Sequence, residues 1–230
     1  MSVSTSVGVS SAFQQDLAAT AQHLASVLPP EVARTIDSGI AAVEASGQAA
    51  QVRQAGQPAP DFTLPDATGQ PVTLSALVAQ GPVVLTFYRG NWCPYCNVQL
   101  RAYQQVLAEI ALRGATLVAI SPQTPELTTL TASEKQLAFP VLSDVGNAVA
   151  RQYGLAYGVG AEVGSALRSV GIDLAAFNDN PDDELPLTAT FIIGTDGLIA
   201  QTWVEANFKH RADPADIIRA LEQLPTPQFA

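Results

Sequence analysis

The chain has 230 residues, 47% of them hydrophobic and 14% charged, which is the composition of a packed globular protein rather than a disordered or fibrous one. Its 21 acidic residues against 11 basic ones give a net charge of −10, which repels polyphosphate and anionic lipid and speaks against nucleic acid or a membrane as partner. With only 2 cysteines there is no disulfide framework of the small secreted kind.

In chain order, the N-terminus lacks the basic and continuous apolar stretches of a secretory signal. No apolar run reaches the length of a membrane-spanning helix, so the reducing cytoplasm is the expected compartment. From Ser11 to Gln54 the sequence is alanine-rich and helical in period. Phe13, Leu17, Leu24 and Leu28 share one stripe, Pro29-Pro30 interrupts, and Val32, Ile36, Ile40 and Val43 form a second stripe. Residues 1–54 therefore read as a helical hairpin extension, whose apolar stripes need covering by the main domain or by a second copy in a homodimer.

Residues 55–230 read as one α/β domain. FTL and PVTL flank the turn residues PDATGQ, a hairpin signal. PVVLTFY is a continuous β-branched apolar run of the kind a strand covered on both faces needs. A helix is predicted over VQLRAYQQVLAEIALR, a second buried strand at ATLVAIS, a helix at PELTTLTASEKQLA, a short strand at FPVLSD and a short helix at GNAVARQYG. Residues 155–187 read as an irregular insertion with an acidic, solvated stretch FNDNPDDELP. TATFIIG and LIAQTWV are strands joined by a Thr195-Asp196-Gly197 turn, and DPADIIRALEQL is a closing amphipathic helix. This alternation argues for a central sheet flanked by helices.

Both cysteines fall in FYRGNWCPYCNVQL, where a buried strand gives way to a helix. Pro94 suits the first helical position, which makes Cys93 the N-cap and Cys96 the third helical residue. Sulfurs there lie beside unpaired backbone N–H groups and the positive end of the helix dipole, which favours thiolate. They are also close enough to join in a disulfide. A metal site is not expected, because the 2 histidines have no ligand spacing to the pair.

The strand, WCPYC and helix resemble a thioredoxin fold, and CPYC resembles the glutaredoxin active-site motif. APDFTLPDATGQPVTLSAL, FPVLSDVGNAVARQYGL and ATFIIGTDGLIAQTW extend the likeness to peroxiredoxins of the alkyl hydroperoxide reductase and thiol-specific antioxidant family, over about residues 57 to 224. The resemblance implies a thioredoxin-like fold with a central mixed sheet, no cofactor, a peroxide substrate and a thioredoxin, glutaredoxin or glutathione reductant. The family signature Pro-x-x-x-Thr-x-x-Cys, counted back from Cys96, puts Cys93 at the threonine and Arg89 at the proline. In that register Cys96 matches the peroxidatic cysteine, whereas the thioredoxin pattern makes Cys93 the attacking thiol. Thr188 stands where peroxiredoxins carry an arginine that polarises the peroxide, and Arg89 is the expected substitute. Arg89, Trp92 and Thr188 are accordingly the expected substrate-binding residues beside the catalytic pair Cys93 and Cys96.

Two activities fit this reading: a thiol-dependent peroxidase cycling a Cys93–Cys96 disulfide, and a disulfide oxidoreductase in which Cys93 attacks and Cys96 resolves. A redox sensor or scaffold using its helices to bind a partner is a third.

Overall fold

A computed structural model of the chain describes residues 3–224. Residues 1–2 and 225–230, the outer ends of the expected extension and domain, lie outside the described residues. The chain begins with α1 (Val3–Val27) and α2 (Pro30–Ser46), followed by a 3₁₀ turn at Gln48–Gln51. The antiparallel pair β1 (Thr63–Pro65) and β2 (Pro71–Thr73) leads through α3 (Leu74–Val78) into β3 (Val83–Phe87). Then come α4 (Pro94–Gln105), α5 (Leu107–Leu112), β4 (Thr116–Ser121), α6 (Pro125–Glu134), β5 (Val141–Ser143) and α7 (Ala148–Gln152). The last third holds β6 (Ala156–Gly158), α8 (Ala161–Ser169), α9 (Leu174–Asn178), β7 (Glu184–Pro186), β8 (Thr188–Ile193), β9 (Ile199–Glu205) and α10 (Pro214–Glu222).

Five strands form the central sheet in the order β5-β4-β3-β8-β9. The β3–β4 and β4–β5 pairs are parallel, whereas β8 runs antiparallel to both β3 and β9, so the sheet is mixed. Every residue of β3 is buried, as a strand covered on both faces requires. Its side chains alternate: Val84 and Tyr88 enter a core with α1, α4 and α10, while Val83, Leu85 and Phe87 enter a second core with α3 and α7.

The helix predicted across residues 98–113 is divided at Val106, whose N–H bonds to Tyr103 O, three residues back. That tighter step is of 3₁₀ type. The expectation of an irregular segment over 155–187 is corrected: β6 and β7 pair antiparallel there and α8 and α9 lie between them. The reason is tertiary, since α8 packs against α2 and is too short to be stable by itself. At the crossing, a Cβ on Gly39 would sit 2.6 Å from Val163 Cγ2, so glycine permits the close approach.

The two N-terminal helices follow one another across a short turn at Leu28-Pro29, and each packs on a different part of the chain. Helix α1 packs on α4 and α10, and α2 packs on α8. Phe13 and Leu17 of α1 and Val32 and Ile40 of α2 are buried within this chain. Part of each stripe thus finds a cover within this chain, while Leu24, Leu28 and Ile36 face a space between α1, α2 and α8.

Candidate active site

The site lies at the carboxyl end of β3, where open α/β sheets place their crevices. Gly90 follows with φ +142°, a conformation that favours glycine, and a Cβ there would meet the Trp92 ring at 2.6 Å. Asn91 N–H donates to Gln123 Oε1 at 2.9 Å and Asn97 Nδ2 to Asn91 O at 2.8 Å, which pins the loop between strand and helix. Cys93 occupies the N-cap position of α4 with extended backbone, and Pro94 opens the helix. Cys96 is then in the first turn, with both cysteines reduced and buried, 1% and 0% exposed.

The donors converge on Cys96. Arg89 N–H donates to its sulfur at 3.4 Å, and Arg211 Nη2 does so at 3.4 Å. The same Nη2 is 3.8 Å from the Cys93 sulfur, a weaker contact. Burial alone would push the Cys96 thiol up, but a hydrogen bond from the Cys93 thiol, the Arg211 charge and the Arg89 amide together hold it well below the ordinary range. Burial pushes the Cys93 thiol up, and the neighbouring Cys96 thiolate adds to this. Two sulfurs in contact share their protons, and the donor geometry puts the single negative charge on Cys96.

Arg211 was not among the residues singled out from the sequence. It lies between β9 and α10, within the basic run Lys209-His210-Arg211 of an otherwise acidic chain. That run is the one sequence signal pointing to it, because 115 positions separate Arg211 from Cys96. Its Nε donates to Phe208 O at 2.6 Å and its Nη1 to Gln99 Oε1 at 3.0 Å. Gln99 Nε2 donates in turn to Tyr103 OH, which is 3.1 Å from the Thr190 hydroxyl, so the guanidinium is held by a buried chain of hydrogen bonds. Asp213, at the N-cap of α10, accepts from Ser10 of α1 at 2.8 Å, tying the arginine-bearing segment to the first helix.

The other expected residues are placed as follows. Arg89 is buried at 4% exposure, yet its hydrogen bond to sulfur comes from its backbone N–H and not from its side chain. Its guanidinium lies over the Phe208 ring at 3.8 Å and the Trp92 ring at 4.9 Å, and its Nε has no hydrogen-bond partner. Thr188 opens β8 with its hydroxyl buried and unpartnered, and it shares a small cleft with Arg211. Arg211 therefore stands in space beside the position where the family arginine was missed in the sequence.

Outside Cys93 opens a chamber of about 270 Å³. Leu24 and Leu28 from α1, Ile36 and Ile40 from α2, and Val163 and Leu167 from α8 form its walls. Arg89, Trp92 and Cys93 border its inner end, and Cys96 lies behind them out of contact with it. Lys209, at the rim, is paired with Asp37 at 2.6 Å. Among the described residues no cluster of three or more potential ligands could hold a metal ion, and no helix is long and apolar enough to cross a membrane.

A mixed sheet with two facing thiols at the start of a helix defines a thioredoxin-fold dithiol protein. The family model described as "AhpC/TSA family" matches residues 55–202, and the chain belongs to that family. A Mycobacterium tuberculosis protein named as a peroxiredoxin is 36% identical over 99 residues, covering 43% of this chain and 64% of its own. A chloroplastic peroxiredoxin Q of Sedum lineare is 36% identical over 100 residues, 44% of this chain and 53% of the relative. The chain thus spans less than two thirds of the length of these curated relatives. Among solved structures, peroxidoxin BcpB from Mycobacterium tuberculosis superposes with a TM-score of 0.61 at 27% identity, covering 76% of this chain and 99% of that one.

Proposed function

We propose that this chain is a thiol-dependent peroxidase in which Cys96 attacks and Cys93 resolves. The observation that carries the reading is the pair of donors on the Cys96 sulfur, Arg89 N–H and the Arg211 guanidinium, each at 3.4 Å. Its thiolate uses one electron pair to form an S–O bond to the terminal oxygen of a hydroperoxide. The O–O bond breaks and the departing alkoxide or hydroxide takes a proton, leaving Cys96 as sulfenic acid. Cys93 sulfur then attacks the Cys96 sulfur, water leaves, and a disulfide remains. The peroxide has gained the two electrons that the pair has lost.

Arg211 serves both steps electrostatically. Its fixed N–H groups hold the thiolate before reaction and face the negative charge that develops on the peroxide oxygens, in a site with little water to screen them. Thr188, which cannot carry that charge, leaves the role to Arg211, while Arg89 adds a second cation and an amide donor. The relatives named as peroxiredoxins support this reading. A thiol donor returns the disulfide to two thiols, thioredoxin, glutaredoxin and glutathione being the kinds that the family likeness implies, and the reducing cytoplasm is the setting that suits such a pair.

A second reading, disulfide oxidoreductase, is favoured by one feature: Cys93, not Cys96, borders the chamber. Peroxide consumption coupled to a thiol donor, run beside insulin reduction, separates the two. The peroxidase reading expects saturable peroxide turnover and at most background insulin reduction. The reverse result would transfer the assignment to the second activity.

A further inference from the structure

We infer that the chamber is the entry site of the reductant, and that this reductant is a low-molecular-weight thiol with an apolar body attacking the Cys93 sulfur. The inference deepens the peroxidase reading, which supplies the disulfide to be reduced. Helices α1, α2 and α8 stand around the sulfurs, which are 1% and 0% exposed. A protein dithiol would have to insert its own sulfur between those helices. The space of about 270 Å³ is near the lower end of roughly 300–1,000 Å³ typical for small-molecule sites. Its walls are mostly apolar, with Tyr95, Tyr157 and Phe208 beside the aliphatic residues, so the body that fills it gains by leaving water. Helices α1 and α2 precede residue 55, where the family match begins, so two of the three walls belong to the part of the chain outside that match.

The order of the sulfurs fits attack from this side. Cys93 is at the chamber's end and Cys96 is behind it, so an incoming sulfur meets Cys93 first. Exchange is faster when the departing thiol is the more acidic one, and Cys96 departs into the waiting hydrogen bonds of Arg89 and Arg211. The same asymmetry that keeps Cys96 ready for peroxide therefore also makes it the better leaving group.

Charge completes the case. Among the described residues neither Arg89 nor Arg211 has a carboxylate within ion-pair distance, whereas Lys209 already has Asp37. With Cys96 ionised, its thiolate meets the Arg211 guanidinium and senses the nearby Arg89 charge. In the disulfide that negative charge is gone, and the cations are left uncompensated at the inner end of an apolar space. Such a site draws in a small anion, and an entering thiol is bound as thiolate, the nucleophilic form. Arg89, held between two aromatic rings with Nε unpartnered, is the cation exposed to it.

The steps balance. A thiolate RS⁻ bonds to Cys93 Sγ as the Cys93–Cys96 bond breaks, and Cys96 leaves with the electron pair. A second RS⁻ attacks the RS sulfur of the mixed disulfide, RSSR departs, and Cys93 takes a proton. Two thiols supply the two electrons that the protein disulfide gains.

The test uses the full chain, oxidised with diamide so that its disulfide does not depend on peroxide. Re-reduction is timed with benzyl mercaptan, with 2-mercaptoethanol, a polar thiol of similar acidity, and with thioredoxin plus its reductase. Ala33→Phe on α2 and Ala25→Phe on α1 each put a ring into the chamber from a different helix. Benzyl mercaptan is expected to react about tenfold faster than 2-mercaptoethanol at equal concentration and faster than thioredoxin. Whichever filled variant remains folded is expected to lose about that tenfold advantage and to keep the 2-mercaptoethanol rate. Faster reduction by thioredoxin, equal rates for the two small thiols, or indifference of the folded variants would overturn the inference. Oxidation by hydrogen peroxide is timed separately: if peroxide fails to form the disulfide, the peroxidase reading falls while the chamber result stands or falls on its own data.

Discussion

The guanidinium of Arg211 stands 3.4 Å from the Cys96 sulfur across 115 positions of sequence. It shares a small cleft with Thr188, the position where the family likeness expects an arginine, and it comes from the segment that leads from β9 into α10.

Removing that charge is the first prediction. Arg211→Gln is expected to slow oxidation of the reduced pair by peroxide by about 10²-fold, the usual cost of losing one preorganised donor. It is also expected to move the ultraviolet thiolate titration toward the ordinary thiol range. Arg211→Lys keeps the charge but not the fork that reaches Gln99 and the sulfurs together, so its rate should fall between the two. A melting curve separates this loss from unfolding, since Arg211 also bonds Phe208 O.

A pH dependence of stability follows from the ionised sulfur. Cys96 is held low in the folded chain by Cys93, Arg211 and the Arg89 amide and charge against the opposing effect of burial. The phenols of buried Tyr88 and half-buried Tyr157, which sense its charge, are both pushed up by desolvation and stay neutral. A group whose folded value lies below its unfolded one adds stability that is complete above the unfolded thiol range, roughly pH 8.5, and is lost as pH falls through the folded value. Below roughly pH 8.5, where the raised Cys93 thiol is protonated in both states, the reduced protein should therefore lose stability as pH falls, by about 1.4 kcal/mol for each unit of depression crossed. Chemical denaturation at several pH values checks this, and Cys96→Ser should lack that component of the slope.

The crossing of α2 and α8 gives a packing test. Replacing glycine with alanine inside a helix ordinarily gains about 1 kcal/mol, but at Gly39 the new methyl group meets Val163 at 2.6 Å. Gly39→Ala is expected to yield none of that gain by itself. Combined with Val163→Ala it should recover part of it relative to Val163→Ala alone. A double-mutant cycle from denaturation curves measures the coupling.

Phe13 is 1% exposed in the core shared with α4 and α10. Phe13→Ala is expected to cost about 3–5 kcal/mol and to loosen α1 from the segment that Ser10 ties to Asp213. Hydrogen exchange should then rise in α1 and around Arg211 together. A change confined to α1 would mean that the first helix does not support the site.

The strands β3, β4 and β8 were legible because a strand covered on both faces must be a largely apolar run, and each such run appears in the sequence with no charged residue and only threonine or serine among its apolar residues. The cysteine site was legible for a local reason as well: proline after Cys93 fixes the helix start, and Cys96 follows in the first turn. Helices α8 and α9 were not, because α8 is stabilised by contact with α2, more than a hundred positions earlier, and α9 packs on α8 in turn. Arg89 illustrates the same limit at the level of one side chain. Its position was read from the motif, but its guanidinium turns to Phe208 and Trp92, and only its backbone N–H meets a sulfur. Arg211 reaches the site through a fold-level approach that no local pattern encodes.

The identity of the sulfur that takes the peroxide oxygen tests the account most directly. Cys93→Ser and Cys96→Ser are each exposed to hydrogen peroxide with dimedone, which traps sulfenic acid, and digested for mass spectrometry. The account predicts a stable adduct on Cys96 in Cys93→Ser and little on Cys93 in Cys96→Ser. An adduct that forms readily on Cys93 while Cys96 stays unmodified would contradict it.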